Sequence, residues 1–357
     1  MTRAAANTDL PILSHRALNR AVLARQLLLE RSDLSLTVAL EQMGGIQNQY
    51  APNAYIRLWS CLTSFERADL DAAMERRAAI QATLMRQTIH TVSATDYWPL
   101  EIAVRRHRRA WLARVQASAI GYTDMATVAA DARLELDDGP LPFRELTERL
   151  VARGHPAQAV RWLGEWVDLV RVPPSGTWRR RRADLYGLAD AWLPEPTLSE
   201  DDALEHLLRR YLGAFGPAAL ADAAAWAGLP PAVVKPVVER LDLRRFADEL
   251  GTELLDLPAA PLPDPGTPAP VRFLPTWDAL LLVHARRTGV LPEEYRPIVF
   301  NTKNPPSMSV FLVDGQVAGK WRYVDGRIET EAFAPLARQA TRTVADEAER
   351  LAALHAD

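Results

Sequence analysis

Between Ser14 and Leu257 one order of elements recurs three times: helices of about ten residues, then a short pair of strands. In the first copy Ser14 is placed to cap a helix with Leu18, Val22 and Leu29 near one face. Ser35 is placed to cap a second, with Leu36, Leu40 and Met43 inside. The apolar stretch "AYIRLWSCL" and a helix from Asp69 to Arg76 follow, and "AAIQATLMRQTIHTV" closes the copy as two short strands turning near Arg86 and Gln87. The second copy has "PFRELTERLVARG", striped by Phe143, Leu146 and Leu150, then "AQAVRWLGEWVDL". Its hairpin is "VRVPPSGTWRRRRADLYGLA", turning at Ser175 and Gly176. The third runs from an N-cap at Ser199 through "EDDALEHLLRRYLGAFG", "PAALADAAAWAGL" and "PPAVVKPVVERL" to the strand-like "TELLDL". Helices followed by a hairpin are the order of a winged helix.

After Leu257 the pattern stops. "LPAAPLPDPGTPAPVRFLP" carries seven prolines without a helical or strand period, and reads as a linker. Beyond it "SMSVFLVDGQVAGKWRYVDGRIETEAF" alternates and turns at Asp314-Gly315 and Asp325-Gly326, the pattern of a β-meander, and the chain ends in a helix. The expected fold is mainly α with β-wings: winged helices over 1–125, 126–198 and 199–260, then a small β-rich, barrel-like domain over 261–357 with a terminal helix.

Composition narrows the function. No apolar run reaches the roughly 20 residues of a membrane span and no apolar signal core opens the chain, so the expected location is cytoplasmic, at the nucleoid. A single cysteine, Cys61, excludes an internal disulfide, and the seven histidines show no metal-ligand spacing, so no metal or organic cofactor is expected. The net charge of −3 leaves room for a local cationic face. Two arginine clusters stand out: Arg179, Arg180, Arg181 and Arg182 on the second wing, and "RRHRRAW" from Arg105 to Trp111. Each is a DNA-backbone surface or a solvated charged face. Alternation along a strand would turn only half of the first cluster toward a ligand.

The stretch "GGIQNQYAPN" places Gln47 and Gln49 one residue apart after a Gly-Gly turn. A carboxamide takes no proton at neutral pH, but it can hold and aim a water and stabilise positive charge through its oxygen. That suffices only where the leaving group departs readily, as does a purine alkylated at N7 or N3, which already carries positive charge and leaves neutral. A satisfied structural pair is the other reading of the same residues.

"LSHRALNRAVLARQLLLER", "GGIQNQYAPNAYIRLWSCL", "LMRQTIHTVSATDYWPL" and "VRVPPSGTWRRRRADLYGLADAWL" together resemble the AlkZ and YcaQ family of alkylpurine DNA glycosylases. The resemblance continues through "YLGAFGPAALADAAAWAGL", "FLPTWDALLLVHARRT" and "LVDGQVAGKWRYVDG", nearly the whole chain. It implies tandem winged helices and a catalytic Gln-x-Gln pair, here Gln47 and Gln49, with Asn48 where the family usually has an apolar or small residue. It further implies a monofunctional glycosylase acting on double-stranded DNA that carries alkylated purines, and unhooking of interstrand crosslinks; nothing in the sequence looks like a dimerisation heptad, so a monomer is expected. The motif "MRQTIHTV" recurs in the family, and period-two spacing puts Arg86, Thr88 and His90 on one strand face. There Arg86 would meet phosphate and His90 would either bond near the lesion or be buried behind the glutamine loop. No lysine lies in this segment, against Schiff-base chemistry: Lys235, Lys303 and Lys320 are all elsewhere. A non-catalytic winged-helix DNA-binding protein or regulator is the alternative.

Overall fold

The computed structural model describes residues 10–194, 196–284, 289–300 and 308–356. Lys303 and the end of "FLPTWDALLLVHARRT" lie outside the described residues. Strand β1 (Ile12–Leu13) leads into α1 (His15–Arg25), capped by Ser14, whose hydroxyl accepts from the Ala17 N–H at 3.2 Å. Helix α2 (Leu36–Gln42), capped by Ser35, is followed by the two-residue strand β2 (Ile46–Gln47) and α3 (Pro52–Cys61), with proline at its start where no N–H is needed. Every residue of α3 is buried, so the apolar stretch seen in sequence is an interior helix. Helix α4 (Arg67–Glu75), strands β3 (Ala79–Thr83) and β4 (Ile89–Ser93), and the 22-residue α5 (Ala94–Val115) complete the stretch that the sequence pattern marks as a first copy.

The second copy brings β5 (Leu141–Pro142), the amphipathic helix Phe143–Ala152 with Leu146 and Leu150 buried, and strands β6 (Leu169–Arg171) and β7 (Leu185–Leu188). The expected helix in "AQAVRWLGEWVDL" is reduced to Ala157–Val160 and a 3-10 turn at Leu163–Glu165. Gly164 sits in that turn, where a continued helix would lose about 1 kcal/mol relative to alanine. The hairpins of the two copies join in one six-stranded sheet, in the order β2-β4-β3-β6-β7-β5. Gln81 and Ala82 of β3 pair with Arg171 and Val170 of β6.

The third copy has helices Glu200–Phe215, Leu220–Ala227 and Pro231–Arg240, then strands β8 (Arg244–Asp248) and β9 (Glu253–Asp256). Strand β1 adds to this hairpin in parallel, a long-range pairing that no local pattern announces. The proline-rich stretch is not wholly a linker. Its Arg272–Leu274 forms β10, which pairs with β11 (Val310–Val313), and β12 (Gln316–Val324) and β13 (Arg327–Ala332) complete a four-stranded antiparallel sheet. Both Asp-Gly turns of the meander form, with Asp314, Gly315, Asp325 and Gly326 all at positive φ, the geometry that matches strand twist. The last helix runs Arg338–Ala356.

One apolar core unites Val22, Tyr55, Leu208, Phe273 and Phe311, from the first copy to the C-terminal sheet. A second, smaller core holds Leu146, Leu150 and Val160 of the second copy. No helix among the described residues is long and apolar enough to cross a membrane.

Candidate active site

Two glycines set the path into the site. Gly44 and Gly45 have φ of +70° and +79°, and a Cβ on Gly45 would lie 2.7 Å from Cγ1 of Val92 on β4. The chain therefore passes against β4 only because no side chain intervenes. Strand β2 then pairs Gln47 with His90 across an antiparallel ladder. Asn48 continues the contact: its N–H donates to the Ile89 carbonyl at 2.7 Å and its amide NH2 to the Thr91 hydroxyl at 3.0 Å. The departure at this position thus has a structural role, anchoring the loop between the two glutamines.

Both glutamine oxygens are committed. Arg86 donates from Nη2 to Gln47 Oε1 at 2.7 Å, and the Ile89 N–H donates to Gln49 Oε1 at 2.7 Å. A guanidinium and a backbone N–H have no acceptor, so these contacts fix which end of each carboxamide is the oxygen. Neither carboxamide NH2 donates a hydrogen bond among the described residues. Gln47 is buried and Gln49 exposed, so one is held within the fold and the other reaches the surface.

The structure separates Arg86 from the strand that sequence spacing gave it. Residues Met85–Gln87 form a 3-10 turn between β3 and β4, with Arg86 and Gln87 both in the left-handed region at φ 54° and 57°. Alternation along a strand cannot operate through such a turn, so Arg86 turns back to Gln47 and to the Trp226 carbonyl. Burial lowers its pKa to about 10, leaving it cationic at neutral pH. Thr88, which follows the turn, donates its hydroxyl to the Met85 carbonyl at 3.0 Å. His90 is buried, with Nδ1 3.0 Å from the Thr88 carbonyl, which fixes the proton on Nδ1. Burial first and the Arg86 charge second push its pKa down to about 3, so the ring is neutral.

Arg179, Arg180, Arg181 and Arg182 lie in the loop between β6 and β7 and not on a strand, so all four are exposed. Ser175 organises this loop from inside: its buried hydroxyl donates to the Arg182 carbonyl at 3.0 Å and accepts from the N–H groups of Asp184 at 2.7 Å and Leu185 at 3.0 Å. Arg181 reaches Tyr50, directly after Gln49, donating to its hydroxyl at 2.5 Å with the guanidinium 5.6 Å from the ring centroid. Arg180 and Arg182 share Asp184. Sequence reasoning missed Tyr50, whose only signal there is an aromatic residue directly after the second glutamine; in the structure it is 44% exposed. The other cluster is spent on structure. Arg108 is buried between Glu101 and Glu165, Arg105 pairs with Asp168 and Arg106 with Glu200, so α5 is tied to its neighbours through these arginines.

The family described as DNA glycosylase AlkZ-like matches residues 40–354. The chain belongs to this family, and its class of activity is that of a DNA glycosylase. It is similar to an interstrand DNA cross-link repair glycosylase of Streptomyces sahachiroi, at 24% identity over 92% of this chain and 93% of that protein. The solved structure of Streptomyces sahachiroi DNA glycosylase AlkZ superposes with a TM-score of 0.81 at 20% identity, covering 96% of this chain and 97% of that one, and so shares its fold.

Proposed function

We propose that this glycosylase hydrolyses the N-glycosidic bond of purines made cationic by alkylation at N7 or N3, in double-stranded DNA, as a monomer built on three winged-helix units. One observation carries the reading: among the described residues, the titratable groups held against Gln47, which are His90 and Arg86, do not exchange protons near neutral pH. His90 is neutral down to about 3 and Arg86 is cationic up to about 10. Such a site cannot protonate a leaving purine, so it suits one that departs without a proton.

The two carboxamides then divide the work. Gln47, its oxygen held by Arg86, offers N–H donors that seat a water by its oxygen. Gln49 is exposed and its oxygen is held by a single backbone N–H, so it is the group able to turn its oxygen toward that water or the sugar cation when DNA binds. The arginine loop with Tyr50 flanks this edge and supplies contacts to the phosphate backbone. Unhooking of interstrand crosslinks fits a Gln49 that lies at the surface, because a base tethered to the opposite strand cannot swing into a closed pocket.

Incubating the protein with duplex DNA containing N7-methylguanine, then counting abasic sites with and without a chelator, tests the proposal. Equal release in both is expected. No release, or release that a chelator abolishes and zinc or magnesium restores, would overturn it.

A further inference from the structure

We infer that Arg86 is a positioning residue for Gln47: its side chain fixes the orientation of that carboxamide, in place of a contact to DNA phosphate. This rests on the catalytic reading of Gln47 given above. The geometry supplies four independent reasons. Arg86 Nη2 donates to Gln47 Oε1 at 2.7 Å and Nη1 donates to the Trp226 carbonyl, so both ends of the guanidinium fork are engaged within the protein. The backbone is bent to permit it, with Arg86 and Gln87 consecutive non-glycine residues at positive φ, a conformation that residues with a side chain rarely adopt. Such strain persists where the surrounding structure over-determines it. Gly228, at φ +75°, closes on the turn from the other side: a Cβ there would sit 3.1 Å from the Arg86 nitrogen. Finally, no carboxylate among the described residues pairs with Arg86, which is half-buried, whereas Arg25, Arg57 and Arg108 in the interior each have one. Its charge is directed at a neutral carboxamide and a carbonyl.

The consequence is chemical. A free carboxamide can rotate by half a turn and present either its oxygen or its NH2, two faces of nearly equal size and opposite hydrogen-bonding sense. A donor-only guanidinium behind Gln47 admits one of them. The NH2 is left facing the reaction, and the cation polarises the amide so that its N–H groups donate more strongly. Because Trp226 lies in the last turn of the helix Leu220–Ala227, the same arginine ties the orientation of Gln47 to that helix.

The test is a cycle of Gln47→Ala, Arg86→Ala and the double variant, measured as single-turnover excision of N7-methylguanine at saturating protein together with DNA affinity over a range of salt. Arg86→Ala is expected to slow excision about 10- to 100-fold, within the range for a positioned hydrogen-bonding group. Its DNA affinity and salt slope should stay as in the wild type, and it should add nothing in the Gln47→Ala background. Millimolar guanidinium, far below denaturing strength, should restore part of the rate to Arg86→Ala and none to the double variant. Multiplicative losses, or a salt slope shallower by about 0.9, would overturn the inference and make Arg86 a separate element or a phosphate contact. If Gln47→Ala alone leaves excision intact, the catalytic reading itself falls. Should Arg86→Ala fail to fold, Arg86→Lys keeps the charge but reaches only one of the two acceptors, and the same cycle decides.

Discussion

Gln47 and Gln49 differ less in chemistry than in what holds them. One is buried and clamped by a cation; the other is exposed and held by a backbone N–H. That difference was not legible in "QNQ", where the two residues look interchangeable. What was legible is that a pair of carboxamides without a base restricts the chemistry, and the structure sharpens the point through His90. Sequence left that residue either near the lesion or buried; it is buried, and its neutrality has two measurable results. Excision should run flat from about pH 5.5 to about pH 8.5, because neither His90 nor Arg86 changes charge there; a bell-shaped profile in single-turnover kinetics would contradict this. Stability behaves differently. The folded pKa of about 3 lies below the ordinary histidine value of 6.5, so the unfolded chain binds the extra proton first. The contribution of His90 is thus full above about pH 6.5 and lost as the pH falls toward 3, a loss that His90→Gln should remove from a urea titration followed against pH.

At the scale of elements, hairpins were the easiest features to foresee and the residues between their strands the hardest. The Asp-Gly pairs of the meander carry their own turn geometry, and serine caps at Ser14, Ser35 and Ser199 each accept the expected N–H. The second hairpin gives no such signal. Its four arginines look like strand residues because arginine is tolerated there, and only the Ser175 hydroxyl, bonded to three backbone groups, shows that they sit on a folded loop. If this loop grips phosphates, Arg179→Ala with Arg181→Ala should weaken DNA binding regardless of sequence and flatten its salt dependence by about 0.9 in log-log slope for each phosphate no longer neutralised. Ser175→Ala should weaken binding too while leaving every arginine in place, since it frees the loop from within. An unchanged slope in the double arginine variant would remove the loop from the interface.

The whole molecule is closed by contacts far apart in sequence, which is why local patterns could not show how the copies are joined. Strand β1 pairs with β8, and the side chain of Arg25 in α1, fully buried, meets Asp256 through both oxygens at 2.6 and 3.0 Å. Its remaining donors reach the carbonyls of Leu212 and Pro261, so one guanidinium joins the first copy, the third copy and the proline-rich stretch. Breaking a buried pair from one side costs about 3–5 kcal/mol when the remaining charge is left alone, and because Arg244 also meets Asp256 the loss here falls at the lower end, about 3 kcal/mol. Arg25→Ala should therefore lower the stability measured by urea denaturation by about that amount, whereas a loss under about 1 kcal/mol would mean that this guanidinium contributes little to joining the three parts.

The most direct measurement takes Gln47→Ala, Gln49→Ala, Gln49→Asp and the double alanine variant, and records excision of N7-methylguanine and melting temperature on the same preparations. A catalytic pair requires each alanine to slow excision about 10- to 1,000-fold, roughly 1.4 to 4 kcal/mol, with DNA affinity nearly unchanged; Tm should hold in Gln49→Ala and fall in Gln47→Ala, which leaves an Arg86 donor unpaired. Gln49→Asp should retain substantial activity, because a carboxylate at this position still offers an oxygen to water and to the sugar cation. Excision per folded molecule that survives in the double alanine variant, with Tm lowered in every variant, would contradict the account and leave the pair a structural one.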